Sequence, residues 1–177
     1  MTYRCADSLP ANVLSQLAAE RDAIDRSLTT GTRPPNATEA ATISKLYGFR
    51  LDSYLDRGYG ACSLRDERVA HAVLENWMHF DTLRYQLFAW CVMPNHVHLV
   101  LRVFEGITID RLFHSWKSYT SNVANRILGR EGPFWQREYH DRIIRDEREF
   151  ADTVAYVVRN PDSVGLAPWP FVGAKLE

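Results

Sequence analysis

The sequence MPNHVHLVL at residues 93–101 places two histidines two positions apart in a segment that is otherwise typical of a buried strand. Alternate side chains of a strand share a face, so His96 and His98 are predicted to point one way, and Val97 and Leu99 the other. The apolar face would anchor the strand in a core and hold the two imidazoles rigidly. The pattern therefore predicts half of a metal site on a stiff strand.

Length and composition favour one domain of ordinary size. The chain has 177 residues, of which 46% are hydrophobic and 12% aromatic, enough to fill a core. No run approaches the roughly 18–20 apolar residues that a membrane span needs, and no basic segment followed by an apolar one begins the chain. We therefore expect a cytoplasmic protein without a membrane partner. The three cysteines lack metal-ligand spacing and predict neither a disulfide nor a zinc site.

The first part of the chain, residues 1–83, is predicted to be a helical N-terminal portion packed on the same domain. Apolar spacing predicts helices over about 11–28 and 37–57, separated by a breaker at 30–36 that contains Gly and Pro. Ser63 is a suitable N-cap for a third helix that would run to Leu83. These three helices are predicted to form one helical layer.

The second part, residues 84–177, is predicted to form the core of the domain. Aromatic and β-branched residues predict a strand over 85–92, which would pair antiparallel with the histidine strand. Two further helices are predicted over about 108–128 and 147–159, the last one ending before Pro161. The expected fold class is α+β, an antiparallel sheet with flanking helices.

The last predicted helix carries a second group of reactive side chains. Tyr156 and Asn160 lie four residues apart and so share one helix face. Two imidazoles and an amide oxygen suit Mg²⁺, Mn²⁺ or Co²⁺ and leave coordination positions open for a phosphate. The metal would polarise the phosphoryl group while the tyrosine attacks phosphorus, forming a phosphotyrosine and releasing a 3′-hydroxyl. Because that bond conserves the energy of the phosphodiester, the pattern favours strand transfer over digestion.

Three ordered motifs resemble one known family. MPNHVHLVL, followed by GPFWQREYHDRIIRD and AYVVRNPDSVGL, is similar to the HUH-type single-tyrosine transposases, in particular those associated with repetitive extragenic palindromes (REP). The resemblance covers about residues 85–166. It implies that His96 and His98 bind a divalent metal, Mg²⁺ or Mn²⁺, that Asn160 is the third ligand, and that Tyr156 is the nucleophile.

The resemblance also carries expectations for the fold and the substrate. It implies a sheet with flanking helices like the ferredoxin or RRM sandwich, and cleavage of single-stranded DNA beside a hairpin through a 5′-phosphotyrosine intermediate. The chain departs from the family upstream, because the family opens with a strand where this sequence is predicted to be helical as far as Leu83.

Aromatic and basic side chains alternate after residue 134, as they do in surfaces that stack bases and bind the phosphates of single strands. The net charge of −1 gives no global argument for nucleic acid, although residues 111–160 are slightly basic. We expect single-stranded or hairpin DNA as partner, bound by a monomer or a homodimer. The predicted nucleic-acid-binding residues are Lys117, Arg126, Trp135, Gln136, Arg137, Tyr139, Arg142 and Arg145.

Alternatives remain open for most of these residues. The histidines would also fit a solvent-facing strand, Tyr156 and Trp135 would fit a core, and Asn160 would fit a helix end. Tyr119 and Tyr139 are competing nucleophiles. The alternative functions are a non-catalytic hairpin-binding module on the same fold, a metal-dependent phosphodiester hydrolase that uses activated water, and a helical interaction protein.

Overall fold

A computed structural model describes residues 1–28 and 34–175 of the chain. Residues 29–33, which include most of the predicted breaker, and residues 176–177 at the end of the predicted core lie outside the described ranges. The described elements confirm the α+β class. In chain order they are β1 (Thr2–Arg4), α1 (Ala11–Leu28), α2 (Ala37–Leu55), a short 3₁₀ helix (Ser63–Arg65), α3 (Glu67–Phe80), β2 (Tyr85–Val92), β3 (His96–Val103), α4 (Ile109–Leu128), α5 (Glu147–Ser163) and β4 (Val172–Ala174).

The strands form one antiparallel sheet in the order β1-β3-β2-β4. β2 and β3 are the predicted antiparallel pair, and β3 is central because β1 pairs with its other edge, with Thr2 opposite His98 and Arg4 opposite His96. The first three strands follow the split β-α-β order of ferredoxin-like sandwiches. The fourth departs from it, since it pairs with β2 instead of β1.

The two faces of the sheet bury different layers. Val97 and Leu99 of β3 face an aromatic core with Trp77 of α3 and Trp116 of α4. Val100, on the face that also carries the histidines, lies in a smaller cluster with residues of α5. This alternation is the period of two that the sequence predicted. It places both histidines on the α5 side of the sheet.

The α1–α2 helix pair has a small core of its own, which includes Leu17, Leu51 and Leu55. Asn95, just before β3, joins it to the sheet by donating its side-chain N–H groups to the carbonyls of Leu55 and Tyr59, at 3.2 and 3.0 Å. The predicted layer of three helices is wrong in one respect. α3 packs on the sheet beside α4, because its buried face, with Val73 and Trp77, belongs to the aromatic core.

The strand β1 was not predicted, and several helices differ from their predicted bounds, since α2 ends at Leu55 and α3 at Phe80, before the predicted end at Leu83. A strand, β1, does precede the helices, and its outer edge pairs with the segment before α5 through Thr2 and His140. The third helix begins at Glu67 because Asp66, not Ser63, supplies the N-cap oxygen. α5 continues to Ser163 through Pro161, since a proline in the last turn removes only one hydrogen bond near the end of the helix.

No helix within the described ranges is both long enough and apolar enough to span a membrane.

Replacing Leu99 by Ala should lower the free energy of unfolding by about 2–5 kcal/mol, because it leaves a cavity at the centre of the sheet. Leu83 is 68% exposed, and Leu83→Ala should change the same quantity by less than about 0.5 kcal/mol. Urea unfolding followed by circular dichroism measures both. Equal losses in the two variants would contradict the placement of β3 in the core.

Candidate active site

The histidine pair is the centre of the candidate site. His96 and His98 are 1% and 2% exposed, and their Nε2 atoms lie 3.0 Å apart. The Nδ1 atom of His96 contacts the side-chain oxygen of Asn95 at 2.8 Å, and that of His98 contacts the Thr2 hydroxyl at 2.9 Å. These partners orient both rings so that the Nε2 atoms converge, as outer partners orient the histidines of metal sites.

Burial keeps both imidazoles neutral. The pKa of His96 lies well below its ordinary value because the ring is buried and has His98 as its neighbour, and burial lowers the pKa of His98 to about 3. A neutral imidazole is the form that binds a metal ion. The pair therefore has the protonation state of metal ligands at neutral pH.

Tyr156 reaches the histidines from α5. Its ring lies edge-on to His98, with 5.6 Å between the ring centroids, and its hydroxyl donates to Oδ2 of Asp52 at 2.9 Å. Burial and the Asp52 carboxylate both raise the pKa of the phenol above its usual value. Tyr156 is thus protonated at neutral pH and hydrogen-bonded to a base. Helical periodicity predicted that Tyr156 lies on α5. It did not predict the contact of Tyr156 with α2.

Asn160 follows Tyr156 by one helical turn and is 2% exposed. Neither its side-chain oxygen nor its side-chain nitrogen makes a hydrogen bond with any described residue. A buried amide without partners costs free energy unless a further group satisfies it. The unsatisfied side-chain oxygen supports the expected role of Asn160 as an oxygen ligand, which stays a prediction. α5 continues to Ser163, so Asn160 lies within the helix and not at its end.

The end of α2 adds two carboxylates that sequence reasoning missed. Asp56 Oδ1 lies 3.9 Å from Nε2 of His96, and Asp52 contacts Tyr156. Burial raises the pKa of each carboxyl to about 6, with the Asp52 charge also raising that of Asp56. Their spacing of four residues on one predicted helix was a readable signal. Its meaning depended on the end of α2 lying beside His96 and Tyr156, which the sequence does not reveal.

The donor set is therefore mixed. No group of three or more His, Cys, Asp or Glu side chains in the described part of the chain is arranged to hold a metal ion. The two histidines are joined nearby by carboxylate and amide oxygens, of which Asp56 Oδ1 and both polar atoms of the Asn160 side chain lack hydrogen-bond partners among the residues described. Two neutral imidazoles with an oxygen donor suit Mg²⁺ or Mn²⁺.

A cavity of about 700 Å³ opens beside Tyr156. His98 and Asp52 line it, as do Arg142 and Arg145 from the predicted nucleic-acid-binding set. Arg142 is ion-paired with Glu149, whereas the Arg145 side chain is exposed. The structure thus brings two of the predicted DNA-binding residues to the same cavity as the tyrosine.

Other members of that set have structural contacts. The Lys117 ammonium donates to the backbone carbonyls of Gln136, Arg137 and Glu138, so its three N–H groups already have acceptors. Trp135 is 6% exposed and donates to Thr120, which makes it a core residue instead of a stacking platform. Both side chains are used in holding the segment before α5 against α4.

The remaining predicted contacts lie outside the cavity. Arg126 and Arg137 are exposed, Gln136 donates to Glu138, and Tyr139 stacks on Phe113 while donating to Asp110. Tyr139 is therefore engaged away from the histidines. The other competing nucleophile, Tyr119, is 56% exposed on α4. Among the described contacts of the histidine pair, the tyrosine is Tyr156.

The fold and the site define a class of protein: an α+β domain whose central strand carries a buried histidine pair under a helix that bears a tyrosine. The sequence profile of the family described as Transposase IS200 like matches residues 63–160. Because this match covers more than half of the chain, the protein belongs to that family. Membership confirms the resemblance drawn from the three motifs.

Two proteins of Haemophilus influenzae are similar to this chain in sequence. A Haemophilus influenzae protein provisionally named REP-associated tyrosine transposase is 26% identical over 101 residues, with 49% of this chain and 57% of that protein covered. A second, uncharacterized protein of the same organism is 24% identical over 106 residues, with 48% of this chain and 57% of that protein covered. The chain thus spans a little over half the length of these relatives.

A solved structure of a REP-associated tyrosine transposase bound to a REP hairpin is also similar. The similarity covers 61% of this chain and 64% of that one, with 23% identity and a TM-score of 0.46.

Lys117→Met should lower the free energy of unfolding by about 1–2 kcal/mol, because it removes charge-assisted hydrogen bonds to the segment before α5. Arg126→Met, at an exposed position of the same helix, is the matched control and should leave stability unchanged. Thermal and urea unfolding measure the difference. If Lys117→Met were as stable as Arg126→Met, the hydrogen bonds of Lys117 would not stabilise the fold, and its ammonium would be free to bind phosphate.

Proposed function

We propose that this chain is a metal-dependent endonuclease and strand transferase for single-stranded DNA, acting near hairpins through a covalent 5′-phosphotyrosine at Tyr156. The observation that carries the proposal is the contact of the Tyr156 ring with His98, whose Nε2 atom converges with that of His96. Family membership supports transposase chemistry. The resemblance to REP-associated transposases, shared by the relative of that name, supports DNA hairpins as the substrate class.

His96 and His98 would hold the metal ion, with an oxygen from Asn160 or Asp56 as a third ligand. The unpartnered oxygens of these two side chains support that assignment. A divalent ion bound there would polarise a phosphoryl oxygen as a Lewis acid. The neutral state of both imidazoles supports binding at neutral pH.

Tyr156 would attack the phosphorus of a phosphodiester. A bond forms between its phenolic oxygen and phosphorus, the bond from phosphorus to the 3′-oxygen breaks, and the strand is released with a free 3′-hydroxyl. The 5′-phosphate stays on the tyrosine. A second 3′-hydroxyl can then attack that phosphorus, so strands are rejoined without another energy source.

The DNA strand would enter through the cavity that contains Tyr156. Arg145 presents an exposed cation there, and Arg142 lines the same wall. Phosphate contacts of this kind fix the position of a strand without reading its sequence. The cavity thus supports backbone binding beside the nucleophile, and hairpin shape would supply selectivity.

Covalent capture tests the proposal. The protein is incubated with Mn²⁺ and a panel of labelled DNA hairpins that carry single-stranded flanks, and the products are separated on a denaturing protein gel. The wild-type chain should form a labelled adduct. Tyr156→Phe should abolish it, because the phenylalanine ring has no oxygen to attack phosphorus.

The controls separate the alternative functions. Tyr119→Phe, an exposed tyrosine away from the cavity, should keep the adduct. Cleavage without an adduct that survives Tyr156→Phe would identify a hydrolase that uses activated water. Hairpin binding with neither cleavage nor an adduct across the panel would identify a binding module.

Metal binding can be measured without DNA. Mn²⁺ should raise the melting temperature of the wild-type chain, because a ligand that binds only the native state stabilises it. The His96→Ala, His98→Ala double variant should lose this shift, while His114→Ala, at an exposed histidine on α4, should keep it. Asn160→Ala and Asp56→Asn, compared in the same assay, identify the oxygen ligand. An undiminished shift in the double variant would contradict the metal site.

A further inference from the structure

We propose that Asp52 of α2 is the proton acceptor and donor for Tyr156, an inference that rests on the proposed phosphotyrosine chemistry. Its Oδ2 atom accepts a hydrogen bond of 2.9 Å from the Tyr156 hydroxyl. Asp52 and Tyr156 both line the cavity of about 700 Å³. The carboxylate touches the oxygen that would form the bond to phosphorus. Asp52 is therefore a catalytic residue contributed by a helix that lies outside the sheet and its covering layers.

The surroundings of Asp52 favour a chemical role over a structural one. Its other oxygen, Oδ1, is buried and makes no hydrogen bond with a described residue. A carboxylate that served only to fix the tyrosine ring would gain stability from further N–H donors around it. Asp52 instead has one partner that can exchange a proton with it, and burial raises the pKa of its carboxyl to about 6. It is still ionised at neutral pH, yet it is a stronger base than an exposed carboxylate.

Asp56 cannot replace Asp52 in this role. It is the C-cap of α2, four residues beyond Asp52, and its Oδ1 lies 3.9 Å from Nε2 of His96. The two carboxylates of α2 are thus divided between the two halves of the site. One contacts the nucleophile and the other approaches the histidine pair.

The proton balance is complete in both directions. In cleavage the Tyr156 proton moves to Asp52 as the bond from the phenolic oxygen to phosphorus forms, and the departing 3′-oxygen takes a proton from water. In rejoining, the incoming 3′-hydroxyl loses its proton to water, and protonated Asp52 returns its proton to the tyrosine oxygen as the bond to phosphorus breaks. One carboxyl group therefore serves as base and then as acid.

Asp52→Asn separates proton transfer from positioning. Asparagine keeps an oxygen that can accept the tyrosine hydrogen bond, but it cannot take the proton. We expect the rate of adduct formation with labelled hairpin DNA and Mn²⁺ to fall about 100-fold or more, with hairpin affinity and melting temperature unchanged. Asp22→Asn, at an exposed position of α1, is the matched control and should react like wild type.

A chemical rescue supplies the decisive readout. 3,5-Difluorotyrosine, incorporated at position 156, has a much more acidic phenol and therefore depends less on a base to lose its proton. In the Asp52→Asn background it should restore most of the lost rate. A positioning role would leave that rate low, because fluorination does not repair a misplaced ring, and this outcome would overturn the inference.

The outcomes also distinguish the inference from the proposed function. A wild-type chain that forms no adduct with any hairpin contradicts the phosphotyrosine chemistry and the inference with it. If Asp52→Asn forms the adduct at the wild-type rate, Asp52 is not the proton acceptor, and the proposed function still stands.

Discussion

The structure depends on the alternation of side chains along β3. Val97 and Leu99 enter an aromatic core on one face, so His96 and His98 must lie on the other, beneath α5. Two buried imidazoles are stable there only with polar partners. Thr2 of β1 and Asn95 supply them, and Asn95 also ties the strand to the end of α2. The same few contacts thus hold the sheet edge, the histidines and the helix pair in one arrangement.

Two helices complete the site from different parts of the sequence. α5 brings Tyr156 to the ring of His98, and α2 brings a carboxylate to the Tyr156 hydroxyl although 104 positions separate the two residues. α2 reaches this position because its apolar residues pack on α1 while its other face lies towards the cavity. Gly48 allows α2 to approach the His140 side chain closely, since a Cβ at this position would lie 2.8 Å from Nε2 of His140. α2 therefore forms one wall of the candidate site.

Local periodicity was sufficient to predict most long elements. α1, β2 and α4 agree with the predicted helices and strand to within a residue or so, because each buries a regular apolar pattern. β1 and β4 were missed since three residues carry no readable period and owe their conformation to neighbouring strands. The site divides in the same way. His96, His98, Tyr156 and Asn160 were readable as spacings, whereas Asp52 and Asp56 depend on long-range packing, and Trp135 was assigned to a surface although its indole completes the core.

The electrostatics of the site are consistent with the divalent cation that we propose. The imidazoles are neutral, and Asp52 and Asp56 are acidic groups whose pKa values are raised by burial. A phosphodiester brought to Tyr156 would add a further negative charge at low dielectric, where repulsion between like charges is strong. A divalent ion held by the imidazoles and the buried oxygens would reduce that repulsion. Proton transfer to Asp52 and attack on phosphorus would favour each other, because a phenolate is a stronger nucleophile than a phenol.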